Sequence, residues 1–157
     1  MQYALVMAKP DPTIDLLNQL LEVAVLINQD MNSSLPAYGL TPARTHLLWE
    51  LFQRGPCTQR VLADALGVSA RNVTGLIDGV EQSGHATREP HPEDRRATLV
   101  TLTGRGTETM TQMQQGQEEF ARLLFADLPD REQTQLAQGL AHVLDRLREL
   151  VPRGAEL

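Results

Sequence analysis

Apolar residues recur every three or four positions over most of this chain, which is the spacing that places side chains on one face of an α-helix. The first helical segment extends to about Met31, and Asp11 or Thr13 is suited to cap its start. A second helical region covers residues 104–151 and is broken near Asp127-Leu128-Pro129-Asp130. Long amphipathic helices are therefore predicted at both ends of the chain.

The middle of the chain contains three shorter helical segments with clear start and stop residues. LTPARTHLLWELFQRGP, residues 40–56, has a proline in its first turn and ends on Gly-Pro. In TQRVLADALGVSARNVTGLIDGVEQSG, residues 58–84, Thr58 and Ser69 are N-caps, and Gly67 suits the turn because glycine adopts positive φ without strain. Two helices joined by such a turn predict a helix-turn-helix.

The helical spacing also predicts which side chains of the helix-turn-helix are buried. A small residue, Ala63, allows the two helices to cross closely. The predicted core positions of the first and then the second helix are Val61, Leu62, Ala65, Leu66, Val73, Leu76, Ile77 and Val80.

The next stretch, HATREPHPEDRRATLVTLT at residues 85–103, changes from a helical to a strand-like pattern. Ala86-Thr87-Arg88 and Leu99-Val100-Thr101-Leu102 are predicted strands, and the polar segment between them carries two prolines. A β-hairpin that directly follows a helix-turn-helix is a wing. The predicted fold class is therefore mainly α with a small β-wing, a winged helix-turn-helix.

Composition narrows the class of protein. A length of 157 residues with 41% hydrophobic residues favours one domain with a real core. No apolar run approaches the roughly 20 residues of a membrane span, and the single cysteine, Cys57, fits a reducing cytoplasm. The four histidines form no ligand spacing, and no catalytic triad or carboxylate pair is evident. We expect a cytoplasmic protein without a metal or cofactor that is not an enzyme and does not bind membranes.

The net charge of −6 opposes binding to a polyanion, so whether this chain can bind nucleic acid depends on where its cations lie. Lys9 is the only lysine, so 13 of the 14 basic residues are arginines, whose planar fork suits phosphates and guanine edges. Arg71 and Asn72 lie near the start of the second helix of the helix-turn-helix, whereas Asp78 and Glu81 lie further along it, where the helix is expected to lift away from DNA. This grading favours DNA binding at the N-terminal end of the helix.

The predicted hairpin tip carries two adjacent arginines, Arg95 and Arg96, behind Asp94. The narrow minor groove attracts arginine because its potential is strongly negative. A carboxylate beside the two cations can accept a hydrogen bond from a guanidinium and hold it extended. A solvated turn with an incidental ion pair is the alternative for this segment.

Taken in order, these elements resemble the MarR (multiple-antibiotic-resistance regulator) family. The resemblance is carried by LTPARTHLLWEL, by LADALGVSARNVTGLIDGVEQSG and, most specifically, by PEDRRATLVTLTGRG. It implies one MarR-like domain over residues 1–157 that forms an intertwined homodimer. The winged-helix lobe at about 40–103 is expected to bind DNA, and helices at about 11–35 and 104–151 are expected to form the dimerisation region.

The resemblance also implies roles for individual residues. Arg96 matches the wing arginine that enters the minor groove, with Asp94 as its brace, and Gly75 stands where the family often has a basic residue. Thr58 and Gln59 match the start of the supporting helix. The matches to the groove-facing part of the recognition helix are Ser69, Ala70, Arg71, Asn72 and Thr74.

Small-molecule sensing is a further property that the resemblance implies. Arg44, His46 and Trp49 lie on the helix that would wall a pocket for a small anionic or aromatic effector, although a structural role for all three is the alternative. The order of elements, the placement of the arginines and the resemblance together predict a ligand-responsive repressor that binds double-stranded DNA at a pseudo-palindromic operator as a homodimer.

Three other functions stay open at this point. A winged-helix module that binds protein is favoured by the net charge of −6 and by Gly75. A regulator that senses oxidants would use Cys57, which precedes a helix N-terminus and has Arg60 nearby. A small-molecule-binding enzyme would be distinguished by any turnover.

Overall fold

The computed structural model describes residues 11–93 and 97–151. Its elements in chain order are α1 (Pro12–Ser33), a 3-10 helix (Leu35–Tyr38), α2 (Pro42–Arg54), β1 (Cys57–Thr58), α3 (Gln59–Leu66), α4 (Ala70–Gln82), β2 (Ala86–Pro90), β3 (Thr98–Leu102), α5 (Gly104–Phe125) and α6 (Asp130–Leu150). They fall into two compact units that divide after Pro42. A helix-turn-helix followed by a β-hairpin in a mainly helical chain confirms the predicted fold class.

The N-terminal unit consists of α1 and the 3-10 helix. The Asp11 carboxylate caps α1 by accepting hydrogen bonds from the Thr13 hydroxyl at 2.7 Å and the Thr13 N–H at 2.9 Å, and these bonds lower the pKa of Asp11. The helix ends at Ser33, two residues beyond the predicted end at Met31. The large apolar side chains that α1 exposes are Ile14, Leu16, Leu17, Leu21, Val23, Val25, Leu26 and Met31.

The helix-turn-helix is formed by α3 and α4, and its local signals act as predicted. The Thr58 hydroxyl accepts a hydrogen bond from the Val61 N–H at 3.4 Å, and the Ser69 hydroxyl accepts one from the Asn72 N–H at 3.3 Å. Gly67 closes α3 with a φ of 65°, a left-handed conformation that favours glycine. The two helices are therefore joined by a short turn between two capped ends.

The core of the second unit lies where α2, α3 and α4 meet β3 and the start of α5. Its fully buried apolar side chains are Leu47, Leu48, Leu51, Leu62, Val73, Ile77, Val80, Val100 and Met110. The prediction that Val61 is buried was wrong, since it is 42% exposed. The inner face of α3 is centred on Leu62 and Ala63, and Val61 lies about 100° around the helix axis from Leu62. Ala65, Leu66 and Leu76, also predicted to be buried, are only half-buried.

The wing belongs to a three-stranded antiparallel sheet with the order β1-β3-β2. The hairpin pairs Ala86 with Leu102 and Pro90 with Thr98, so both strands are longer than predicted. Strand β1 was not predicted, because two residues carry no periodicity; it pairs with the other edge of β3 and so links the wing to the start of α3. The predicted tip residues Asp94, Arg95 and Arg96 lie outside the described residues.

The C-terminal helices α5 and α6 are separated at the predicted break. Thr103 caps α5 by accepting a hydrogen bond from the Gly106 N–H at 3.0 Å. Among the described residues, no helix is long and apolar enough to cross a membrane. From the end of α5 onward, the exposed large apolar side chains are Leu123, Leu124, Phe125, Leu136, Leu140, Val143, Leu144, Leu147, Leu150 and Val151. The predicted division into a DNA-binding lobe and dimerisation helices stays a prediction.

Candidate nucleic-acid interface

The N-terminal end of α4 presents two exposed side chains suited to base edges. Arg71 and Asn72 are both exposed, and within residues 11–93 and 97–151 neither side chain makes a hydrogen bond or ion pair. They are the second and third residues of α4, so the first backbone N–H groups of the helix lie beside them. Helix N-terminal amides favour an anion such as a phosphate. This end of α4 therefore combines a free guanidinium, a free amide and a positive helix dipole.

Gln59 and Thr74, which were predicted to face DNA, are hydrogen-bonded to each other. The Gln59 Nε2 donates to Thr74 Oγ1 at 2.5 Å and to the Ala70 carbonyl oxygen at 3.3 Å. The Thr74 hydroxyl donates to the same carbonyl oxygen at 2.8 Å. These bonds connect the first residue of α3 with the first two turns of α4, so they help to fix the angle at which α4 is presented.

The far end of α4 is acidic, and the sequence did not reveal what neutralises it. Arg88 on β2 donates through Nη2 to Asp78 Oδ1 at 2.7 Å and through Nη1 to Glu81 Oε2. Its backbone N–H also donates to Glu81 Oε1 at 2.9 Å. The two carboxylates are three residues apart and so lie on the same face of the helix, within reach of a single cation. This spacing is the one feature of the sequence that could have indicated the shared partner.

The three residues predicted to line an effector pocket have different surroundings. The Arg44 guanidinium of α2 packs against the backbone of α4 at Gly79, which has no side chain to displace it. Trp49 packs edge-on against Phe52, with ring centroids 5.9 Å apart, whereas His46 is exposed. An open cleft between α3 and the start of α4 is lined by Gln59, Arg60, Ala63, Asp64, Val68, Ala70 and Val73, and by none of the three.

Cys57 lies in β1 and is half-buried. Burial raises the pKa of its thiol, and this outweighs the opposing effect of Arg54. The helix N-terminus and Arg60, which a reactive thiolate at this position would need, do not overcome this effect of burial. In the part of the chain that the structure describes, no three histidine, cysteine or carboxylate side chains are grouped to hold a metal ion.

Comparison with known proteins matches this arrangement to one family. The MarR family model matches residues 40–98, which contain the helix-turn-helix and the first strand of the wing. The Bacillus subtilis HTH-type transcriptional regulator YwoH is 31% identical over 117 residues, which is 74% of this chain and 85% of YwoH. This chain belongs to the MarR family. It is a DNA-binding transcription regulator.

Two further relatives bear on this MarR-family chain. The Bacillus subtilis transcriptional repressor YetL is 24% identical over 137 residues, covering 86% of this chain and 82% of YetL. A point mutant of Staphylococcus aureus MepR, solved bound to an oligodeoxyribonucleotide, superposes with a TM-score of 0.63 at 22% identity, over 83% of this chain and 96% of MepR. The second likeness supports the winged-helix fold at low sequence identity.

Proposed function

We propose that this MarR-family regulator is a cytoplasmic, ligand-responsive repressor that binds a pseudo-palindromic operator as a homodimer. The observation that carries the proposal is the free pair Arg71 and Asn72 beside the N-terminal amides of α4. Arginine pairs bidentately with guanine and asparagine with adenine in the major groove. Small Ala70 lets the backbone approach the wall of the groove. Repression agrees with the relative YetL, which is itself a repressor.

Phosphate and minor-groove contacts complete the proposed interface. The wing residues Arg95 and Arg96, with Asp94 as a brace, enter the minor groove. The hydroxyls of Thr58 and Ser69 lie at the first turns of α3 and α4 and approach the phosphate backbone. The bond from Gln59 to Thr74 supports this role indirectly, because it fixes the two helices relative to each other.

The homodimer is supported by the apolar side chains that the described residues expose. Among these residues, every exposed large apolar side chain except Val61 lies on α1 or from Leu123 onward. Contiguous apolar surfaces normally mark an interface. A two-fold dimer places its two recognition helices about one DNA turn, roughly 34 Å, apart. Substitution of Leu144 and Leu147 by glutamate is expected to produce monomers in analytical ultracentrifugation.

Effector binding is the part of the proposal that concerns regulation. A small anionic or aromatic molecule would use Arg44, His46 and Trp49, which supply a cation, an imidazole and an aromatic face. Such a molecule shifts operator binding only as far as its affinity differs between the two conformations of the dimer.

The test is selection of bound fragments from the parent genome, followed by fluorescence anisotropy on the enriched site. We expect two-fold symmetric sequences and an affinity that falls linearly with salt on logarithmic axes. Arg71→Ala and Asn72→Ala should each cost about 1–3 kcal/mol and relax base preference at one position. Arg96→Ala should weaken binding to all sequences, whereas Arg122→Ala on α5 should have little effect.

Two outcomes would overturn parts of this proposal. Parent-like binding by both the Arg71 and the Asn72 variants would show that α4 reads DNA through other residues. Affinity that does not respond to salt would instead favour the protein-binding module that the net charge of −6 suggests.

A further inference from the structure

Arg88 connects the first strand of the wing to the recognition helix by three hydrogen bonds. Its guanidinium binds Asp78 and Glu81 through separate nitrogens, and its backbone N–H binds Glu81 at 2.9 Å. The Arg88 and Glu81 side chains are only 31% and 28% exposed, so water screens this pair less than a surface ion pair. The planar fork of arginine is suited to holding two carboxylates at once.

The bond from the backbone of Arg88 explains why β2 lies against α4. β2 is an edge strand of the sheet, because the strand order is β1-β3-β2. An edge strand presents N–H groups that have no partner strand. Glu81 accepts the N–H of Arg88 and thereby supplies that partner from the recognition helix.

Asp78 is the member of this cluster that matters for DNA. It lies three residues after Gly75 and seven after Arg71, so helical spacing places all three on one face of α4. Its side chain is 60% exposed. An unneutralised carboxylate on the same face as Arg71 would repel the phosphates of the bound DNA, even where the helix lifts away from the bases. This repulsion matters more here because Gly75 supplies no cation on that face.

We propose that Arg88 is a positioning residue for DNA binding, which acts by neutralising Asp78 and Glu81 on the recognition helix. The inference rests on the proposed function. Arg88 need not touch DNA: it removes a repulsion that would otherwise act between the acidic end of α4 and the nearest phosphates. As surface contacts alone, the ion pairs of Arg88 with Asp78 and Glu81 would contribute little to the stability of the fold. The proposal gives them a role in DNA binding instead.

The experiment measures operator affinity by fluorescence anisotropy at several salt concentrations for R88Q, D78N and the double variant R88Q/D78N. We expect R88Q to weaken binding by roughly tenfold at low salt and by much less at high salt, because the repulsion is electrostatic. Adding D78N to R88Q should restore most of the lost affinity. An Arg88 that only supports the fold would give no rescue and no salt dependence of the loss.

A single variant keeps the proposal testable if R88Q does not fold. Asp78 is exposed, so D78N should fold, and it leaves Arg88 paired with Glu81 on a helix that has lost one negative charge. D78N alone should therefore tighten operator binding at low salt by a few-fold. Unchanged or weaker binding by folded D78N would overturn the proposal.

The matched control is the ion pair of Arg148 and Asp145 on α6. Its nitrogen and oxygen are 2.8 Å apart, and the two side chains are about equally exposed. R148Q and D145N make the same charge changes outside the winged helix and should alter affinity little. If the parent does not bind operator DNA, the proposed function fails. If the parent binds and Arg71→Ala weakens it while R88Q and D78N change nothing, only this inference fails.

Discussion

The first turn of α5 lies against the carbonyl oxygen of His85, and only the lack of a side chain at Gly106 leaves room for that oxygen. The same oxygen accepts a hydrogen bond from the Thr103 N–H at 3.0 Å, and the Thr103 hydroxyl donates to the Gly84 carbonyl oxygen at 2.7 Å. The turn after the recognition helix is thus joined to α5 by the backbone and hydroxyl of Thr103 and by the close approach at Gly106. The approach at Gly106 cannot adjust by rotating a side chain, because both partners are backbone.

Gly106→Ala should destabilise the protein for this reason. The added methyl group would overlap the His85 carbonyl oxygen, and we expect a loss of about 1–3 kcal/mol in the free energy of unfolding. Urea unfolding at fixed protein concentration measures it. Gly116→Ala in the same helix is the control: its methyl group meets no described atom within 4 Å, so the variant should gain up to about 1 kcal/mol. Equal stabilities of the two variants would contradict the close contact.

His85 should make stability depend on pH. Its side chain is fully buried, its Nδ1 lies 2.8 Å from Ser83 Oγ, and Nε2 has no hydrogen-bond partner among the described residues. Burial, and then the positive charge of Arg105, lower the pKa of His85 below its ordinary value of 6.5. The unfolded chain therefore binds more protons than the folded one just below pH 6.5, and stability must fall as the pH falls through this value.

The measurement is the free energy of unfolding at about pH 7.5 and about pH 5.5, on either side of the ordinary histidine pKa. The parent should lose stability at the lower pH, and His85→Gln should lose less because the buried ionisable group is gone. The same loss in both proteins would show that another group carries the pH dependence.

The bond from Gln59 to Thr74 predicts that these two residues act as one unit. Gln59→Ala and Thr74→Val each break it, and each should cost about 0.5–1.5 kcal/mol of stability. Because both changes remove the same interaction, the double variant should cost less than the sum of the two single ones. A double-mutant cycle on stability and on operator affinity measures this coupling. Additive losses in both would mean that each side chain acts separately, as direct contacts to DNA would.

Local signals predicted much of the helix-turn-helix. Thr58 and Ser69 cap their helices as expected, since an N-cap depends only on residues within one turn. The two hairpin strands were predicted from their β-branched and aliphatic residues, although both strands are longer in the structure than predicted. Helical spacing also placed Val73, Ile77 and Val80 in the core.

Features that depend on distant partners were missed or misplaced. β1 forms only because β3 offers a free edge to two residues that lie some 40 positions earlier in the chain. Arg88 looked like an ordinary strand residue, since its partners Asp78 and Glu81 belong to another element. The DNA contacts of Arg71 and Asn72 stay predictions, because they depend on a molecule that the chain alone does not specify.

The environment of Cys57 bears on the alternative that this regulator senses oxidants. Oxidation by peroxide requires the thiolate, and burial raises the pKa of this thiol above its ordinary value of 9.0. Arg54 lowers the pKa of the thiol by less than burial raises it. The charge of Arg54 is also paired with Glu50, at 2.6 Å. The thiol should therefore stay protonated at neutral pH and react slowly.

We expect hydrogen peroxide to leave the operator affinity of the reduced protein unchanged at neutral pH, and Cys57→Ser to behave like the parent before and after treatment. The rate of reaction with a chromogenic disulfide should rise only as the pH approaches and passes 9.0, where the thiolate begins to form. Cys57→Ser also separates oxidation of the thiol from damage to methionines, which the variant retains. Release of the parent from DNA by peroxide, with the serine variant remaining bound, would establish Cys57 as a sensor in spite of its burial.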